Sequence, residues 1–163
     1  MKTNYYIFID KFVASCDIET AYHYIRQIEE YPRWWGKVYK KIIKLKEAPP
    51  DVAGAKYRIT VGGFLPYSLT IDNEVTHIDR PNLIRFDAEG ELKGKGVWSF
   101  REVGEGTEVT FDWRVAANKK VIRLFSFFFH LKLMIFLLLS ILINRTYRKL
   151  RTLLNVISCR HFF

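Results

Sequence analysis

Asn73 and His77 stand four residues apart in the alternating run Tyr67 to Asp79, on the same side as Tyr67, Leu69, Ile71 and Val75. An imidazole and an amide on one apolar row can bind a carbonyl or quinone oxygen, and an imidazole can serve as general base near neutral pH. A buried, hydrogen-bonded structural histidine is the competing reading, since no acid that would pair with His77 is evident. Around this pair the chain places Trp34, Trp35, Tyr57, Tyr67, Leu69, Trp98, Phe100, Phe111 and Trp113. Rings with a polar edge can line a pocket that orients a ligand with a polar head, or they can simply fill a core. His23 and His161 read as solvated. Arg85 and Arg114 fall on the polar face if Phe86 and Trp113 point inward, which makes them ion-pairing groups outside a sheet. Zinc-ligand spacing, a phosphate loop, a nucleophile elbow and a close carboxylate pair are all missing from the sequence. Their absence counts against a hydrolase or a nucleotide enzyme, and no metal or cofactor is expected. Cys16 and Cys159 have neither metal-ligand nor redox spacing, which fits a reducing cytoplasm.

The elements that must position these residues fit one domain over 1–163, long enough to build a core without metal or disulfide. With 13 Phe and 9 Tyr the interior is expected to be ring-lined, and the 49% hydrophobic content excludes disorder. Charges at Lys2, Asp10 and Lys11 interrupt the stretch where a secretion signal would need an apolar core, so none is expected. Lys and Arg balance Asp and Glu at 17 each in 1–118, whereas 119–163 holds 9 Lys and Arg and no acid. The formal charge of +9 therefore belongs to the tail, interleaved with Phe and Leu. That patterning speaks against nucleic acid as the partner.

Along the chain, Tyr5 to Val13 alternates and is rich in β-branched and aromatic residues, which predicts a first strand. Asp10 within it reads as an edge or turn-facing carboxylate. After Ser15-Cys16-Asp17, apolar residues at Ile18, Ala21, Tyr22, Ile25 and Ile28 predict a one-sided helix with a polar N-cap. It should stop before Tyr31 to Trp35, where Pro32 can open a new short turn. Strands follow at Lys37 to Glu47, Lys56 to Val61, Tyr67 to Asp79, Leu83 to Glu89, Leu92 to Val103 and Thr107 to Ala116. The intervening turns are Pro49-Pro50-Asp51 with Gly54, Arg80-Pro81-Asn82, Gly90, and Gly104-Glu105-Gly106. Lys119 to Leu154 lacks Gly and Pro and reads as a long helix. A sheet with one apolar face must bury it, and this helix is the element long enough to do so.

The run from Val13 to Leu45 resembles the opening of the START-like (SRPBCC, Bet v 1-like) superfamily. There a strand meets a helix at a small polar cap, and the helix ends in a Tyr-Pro-x-Trp-Trp-like turn before a Val- and Ile-rich strand. Ala14 to Trp35 fit in order and spacing. The Asp79-Arg80-Pro81 turn, Val97-Trp98-Ser99-Phe100 and Gly106-Thr107-Glu108-Val109-Thr110 agree as well. The resemblance covers nearly the whole chain and is greatest to the polyketide cyclase/dehydrase-like branch, with the coenzyme Q-binding proteins as relatives. It implies an α+β helix-grip fold: a curved antiparallel sheet of about seven strands wrapped around a long C-terminal helix over 119–157, with two short helices after strand 1. It also implies a cavity between sheet and helix that holds a lipid, quinone or polyketide-like molecule, but no particular reaction.

On the C-terminal helix, His130 shares a stripe with Arg123, Arg145 and Arg148, and is expected at the ligand side. Lys132 falls almost opposite. The window 124–143 holds fifteen Leu, Ile and Phe, so packing one face on a sheet leaves apolar surface for a second subunit, a membrane surface or a bilayer. Lys132 opposes insertion by about 3 kcal/mol, and each apolar residue offsets this by about 0.3 to 0.6 kcal/mol. A lid with affinity for anionic lipid through Arg145, Arg148, Lys149 and Arg151 is the reading that also closes the cavity. The open alternatives are a membrane span and a dimer. At this stage three functions remain: a cytoplasmic or membrane-peripheral carrier of a hydrophobic small molecule, a polyketide aromatase/cyclase or dehydratase using His77 and pocket tyrosines, and a dimerising or membrane-anchored interaction protein.

Overall fold

Alternating apolar and polar side chains become seven strands in the computed structural model of the chain, which describes residues 5–62 and 68–117. The order is β1 (Tyr5–Ala14), α1 (Ile18–Arg26), a 3₁₀ turn (Ile28–Glu30), α2 (Tyr31–Trp35), β2 (Tyr39–Lys46), β3 (Lys56–Val61), β4 (Leu69–Asp79), β5 (Leu83–Gly90), β6 (Leu92–Val103) and β7 (Gly106–Ala117). All neighbours are antiparallel, in the spatial order β1-β7-β6-β5-β4-β3-β2. Strands β2 to β7 form a meander, and β1 adds to the free edge of β7. The segment from β1 to β2 therefore travels from one edge of the sheet to the other, carrying both helices. This architecture is consistent with a helix-grip fold. The helix expected over 119–157 lies outside the described residues, as do Tyr67, His130, Arg145, Arg148, Lys149 and Arg151.

Helix α1 begins where Asp17 accepts a hydrogen bond from the Thr20 amide at 2.8 Å, satisfying a donor that has no partner inside the helix. Its buried residues Ala21, Tyr22 and Ile25 share one face, and the helix packs across β6 and β7. The Thr107 hydroxyl, fully buried, donates to the Cys16 carbonyl at 2.8 Å and fixes the β1–α1 corner to β7. Burial, with the Asp17 charge beside it, pushes the Cys16 thiol up to about 11, so it stays protonated and unreactive at neutral pH. Pro32 sits in the first turn of α2, where its missing N–H leaves no bond unmade. The short turn expected there is thus a helix of five residues, and it packs on β2.

Two glycines on β6 shape the inner face of the sheet. A Cβ on Gly94 would stand 1.9 Å from the Arg114 carbonyl oxygen, and one on Gly96 would stand 2.1 Å from Cζ of Phe86. At Gly94 the neighbour is backbone, so the approach of β6 to β7 depends on the missing side chain. At Gly96 the neighbour is the tip of a ring that lies flat over the strand. A second irregularity is a bulge in β4, where Val75 faces Phe86 and His77 faces Arg85, leaving Thr76 unpaired. An extra residue in one strand reverses which residues point inward beyond it.

These geometries make the two glycines separable by urea denaturation. Gly96→Ala displaces a ring that can swing aside and should cost about 1–3 kcal/mol, the usual range for overpacking. Gly94→Ala meets a carbonyl that cannot move without breaking the β6–β7 ladder and should cost about 3 kcal/mol or more. Equal costs would show that Phe86, too, has no room to move.

Candidate ligand cavity

Between the inner face of the sheet, α2 and the β2–β3 loop lies a cavity of about 410 Å³, within the range of small-molecule sites. Its floor is a run of rings: Trp98 stacks on Phe111 with centroids 4.2 Å apart, and Phe86 and Trp113 each lie 6.2 Å from Phe111. The wall beside it comes from α2 and β2, where Tyr31, Trp35 and Tyr39 pack with centroids 4.6 to 5.8 Å apart. Aliphatic side chains of Ile25, Ile59, Ile71, Val75, Ile78 and Ile84 complete the lining.

Of the residues expected at the site, the fold brings Trp35, Tyr57, Asn73, Trp98, Phe111 and Trp113 to the cavity. It does not bring His77. The β4 bulge turns Thr76 and His77 out to solvent and sends Ile78 inward in their place. The expectation that His77 shares a row with Asn73 is therefore corrected, and with it the idea of an imidazole base in the pocket. Phe100 shares the inner face with Trp98, but two residues further along β6 it lies beneath α1, 5.8 Å edge-to-face from Tyr22. Leu69 is buried one step beyond Ile71, in a second cluster with Phe8 and Val115. Trp34, next to Trp35 on α2, turns to Tyr24 and Tyr31 instead. Sequence reasoning misses Tyr31, Tyr39, Phe86 and the β2–β3 loop as lining. For Phe86 a signal exists: Ile84, Phe86 and Ala88 alternate on β5.

Lining residues that also meet solvent, among them Glu29, Lys44, Pro49, Pro50 and Val52, mark the opening. It lies between the 3₁₀ turn and the β2–β3 loop, and its charges are paired, with Lys44 on Glu29 at 3.0 Å and Arg26 on Asp51 at 3.0 Å. Asp51 is the centre of a latch. It adopts a left-handed backbone conformation at φ 59°, which Asp tolerates better than most residues. Its carboxylate also accepts from the Tyr22 hydroxyl at 2.8 Å and from Arg80 at 2.9 Å, and Arg80 reaches Glu19 as well. The loop is held on its other side by reciprocal backbone bonds of Gly54 and Ala55 with Val75. Burial raises the Asp51 carboxyl, but the hydrogen bonds from Tyr22 and Arg80 and the charges of Arg26 and Arg80 bring it below its ordinary value. Inside the cavity, burial pushes the Tyr39 hydroxyl up to about 12 and raises Tyr31 and Tyr57, so all three phenols are neutral at physiological pH. No group of three or more metal-ligating side chains occurs among the described residues, and no helix among them is long and apolar enough to cross a membrane.

A curved antiparallel sheet with short helices at one end and a ring-lined cavity against its inner face defines a START-like protein. Residues 10–131 match the family described as polyketide cyclase/dehydrase and lipid transport, and the chain belongs to that family. Among solved structures it is similar to the di-domain ARO/CYC StfQ from the steffimycin biosynthetic pathway, at TM-score 0.70 and 13% identity. That likeness covers 91% of this chain and 50% of the other, so the chain spans about half of the di-domain protein. TTHA0849 from Thermus thermophilus aligns at TM-score 0.66 and 15% identity over 96% of this chain and 99% of its own. A START superfamily protein from Mycobacterium smegmatis aligns at TM-score 0.60 and 16% identity, over 69% and 77% of the two chains. At these identities the likeness establishes the fold. Among curated protein sequences, none matches the chain.

The latch carries a pH prediction. A carboxylate whose folded pKa is depressed adds stability that is present above its unfolded value and lost as pH falls through the folded one. Asp51→Asn should cost about 1 kcal/mol at pH 7, allowing for solvent screening of the partly exposed pairs. The gap between wild type and variant should close as pH falls below the ordinary carboxylate value of 3.8. Urea midpoints from pH 7 to 2 measure it, and a gap that persists at pH 2 assigns the cost to something other than the charge.

Proposed function

We propose that this chain binds or carries a hydrophobic small molecule, of the lipid, quinone or polyketide type, in the cavity between the sheet and the elements that close it. The observation that carries the reading is the lining itself: stacked rings and aliphatic chains, with the charged groups confined to ion pairs at the opening. An apolar ligand entering such a space exchanges water contact for ring contact, at about 25 cal/mol per Å² of apolar surface buried.

The second reading is a polyketide aromatase/cyclase or dehydratase, favoured by the likeness to an ARO/CYC chain. With His77 in solvent, the proton-transfer groups left to it are the hydroxyls of Tyr39 and Tyr57. Their raised pKa values keep them protonated, able to donate a hydrogen bond and unable to act as base near neutral pH. Binding without chemistry is the simpler assignment. Docking on an anionic membrane through Arg145, Arg148, Lys149 and Arg151 extends the proposal and rests on the sequence of 119–157. A homodimer through the same segment is the competing occupant of its apolar face.

Native mass spectrometry and organic extraction of gently purified protein should release an apolar compound. Val75→Trp, which puts an indole into the cavity, should weaken a fluorescent apolar probe about tenfold or more, a loss of about 1.4 kcal/mol, with the circular dichroism spectrum retained. A wild-type protein that takes up no apolar probe would sink the proposal. For the membrane part, liposome flotation should show binding to vesicles containing anionic lipid, and equal binding to neutral vesicles would remove the electrostatic component.

A further inference from the structure

From Tyr31 to Lys46 the chain holds Arg33, Lys37, Lys40, Lys41, Lys44 and Lys46 and no acid. Carboxylates from elsewhere reach two of these cations: Glu30 pairs with Arg33, and Glu29 and Glu47 pair with Lys44. The neighbouring strand β3 brings none over, because its Lys56 and Arg58 hold Glu74 and Asp72 of β4. Lys37, Lys40, Lys41 and Lys46 are exposed and form no ion pair among the described residues, Lys40 donating only to the Gly36 carbonyl at 3.3 Å. All 17 Asp and Glu of the chain lie within 5–62 and 68–117. No acidic side chain is therefore left over, inside or outside the described residues, to neutralise the four lysines.

The same edge of the sheet exposes apolar side chains. Ile43 and Leu45 on β2 and Val52 on the β2–β3 loop are 41%, 44% and 51% exposed. Tyr57, Ile59 and Val61 of β3 line the cavity, so Lys56, Arg58 and Thr60 point outward, and the residues opposite them, Lys46, Ile43 and Lys41, share that outer face. Lys44, between Ile43 and Leu45, belongs to the cavity opening, as do Pro49, Pro50 and Val52. Lysines alone on an edge strand are explained as a guard against pairing with another sheet. Exposed Ile43 and Leu45 between them work against such a guard, and β1, the other edge, carries one lysine, Lys11, which is paired with Glu108.

We infer that the β2 edge and the β2–β3 loop dock on an anionic lipid surface, with the four lysines against the headgroups and Ile43, Leu45 and Val52 in the interfacial layer. Nucleic acid would match the charge and leave the aliphatic side chains in water, whereas a lipid surface matches both. The cavity opening then lies against the bilayer, and an apolar molecule passes between membrane and cavity without crossing water. The docking stands on the β2 edge and is separate from Arg145, Arg148, Lys149 and Arg151 of the C-terminal segment. The passage of ligand rests on the cavity being a ligand site, as proposed above.

Partitioning of the full chain onto phosphatidylcholine vesicles, with and without phosphatidylserine, tests it. One lysine near an anionic surface corresponds to about fivefold in partitioning, so Lys41→Gln with Lys46→Gln should weaken binding to the serine-containing vesicles about 25-fold. Removing the same charge from the distant strand β6, by Lys93→Gln with Lys95→Gln, should weaken it far less. Leu45→Ser should weaken it about tenfold. All three variants should take up an apolar probe from solution as wild type does. Equal losses from the β2 and β6 pairs would assign the effect to net charge, and no loss from the β2 pair would assign docking to 119–157; either result overturns the inference and leaves the carrier standing. Binding of an oligonucleotide that the β2 pair abolishes, with vesicle binding unchanged, would overturn it in favour of nucleic acid. A chain that docks through β2 but takes up no apolar probe keeps the docking and loses the ligand passage together with the carrier.

Discussion

Antiparallel pairing places β1 and β2 at opposite edges of one sheet, and the chain between them is short: two helices of nine and five residues with a 3₁₀ turn. Those helices cover one end of the inner face, over Phe100, Val109 and Phe12. The rings further along, Phe86, Trp98, Phe111 and Trp113, are too many for so little helix to cover. Sheet residues that neither of these two helices reaches border the cavity. Here the missing side chain of Gly96 matters, because Phe86 lies over β6 in the place a Cβ would take. Among the described elements, the cavity lies where α1 and α2 leave the inner face and where the floor is flattened.

The placement of charge follows from the same constraint. A charged group inside an apolar enclosure loses hydration that few protein contacts can replace. All charged members of the described lining therefore sit where 3₁₀ turn, α1 and the β2–β3 loop meet solvent, and each is matched. Asp51 binds three elements at once, the loop through its own backbone, α1 through Tyr22 and Arg26, and the β4–β5 turn through Arg80. The loop that closes the cavity is thereby fixed by polar bonds at its outer side, while its inner side offers Pro49, Pro50 and Val52 to the interior. Opening such a loop would break the Asp51 contacts to Tyr22, Arg26 and Arg80 and the backbone bonds of Gly54 and Ala55 with Val75.

How much of this could be read from the residues alone depends on how local each signal is. Strands β3 and β6 match their expected bounds, the others agree to within a residue or two over the described span, and the polar cap of α1 is Asp17. These are properties of a few neighbouring side chains. His77 is different: alternation along β4 puts it inside, but the bulge that puts it outside arises from pairing with Phe86 and Arg85, close in sequence yet on another strand. Phe100 has the inward parity expected of it and still misses the cavity, because the deciding fact is where α1 lies. Gly94 and Gly96 are visible as two glycines on one face of a strand, a pattern that marks close approach, although what approaches, a carbonyl in one case and a ring in the other, is a tertiary fact. Trp35, Asn73 and Trp113 are legible as lining.

The balance between binding and chemistry rests on what burial does to each kind of group. Removal from water raises the pKa of a phenol, and Tyr31, Tyr39 and Tyr57 are all shifted that way. A general base must surrender its proton near working pH, so the enclosure that makes the cavity hospitable to an apolar molecule also silences the tyrosines that could have acted on it. The tyrosines of the described lining are therefore shifted out of range for a base, and His77 is turned to solvent. Of the described lining, the carboxylates Glu29 and Asp51 remain as bases, and both are held in ion pairs at the opening, Glu29 by Lys44 and Asp51 by Arg26.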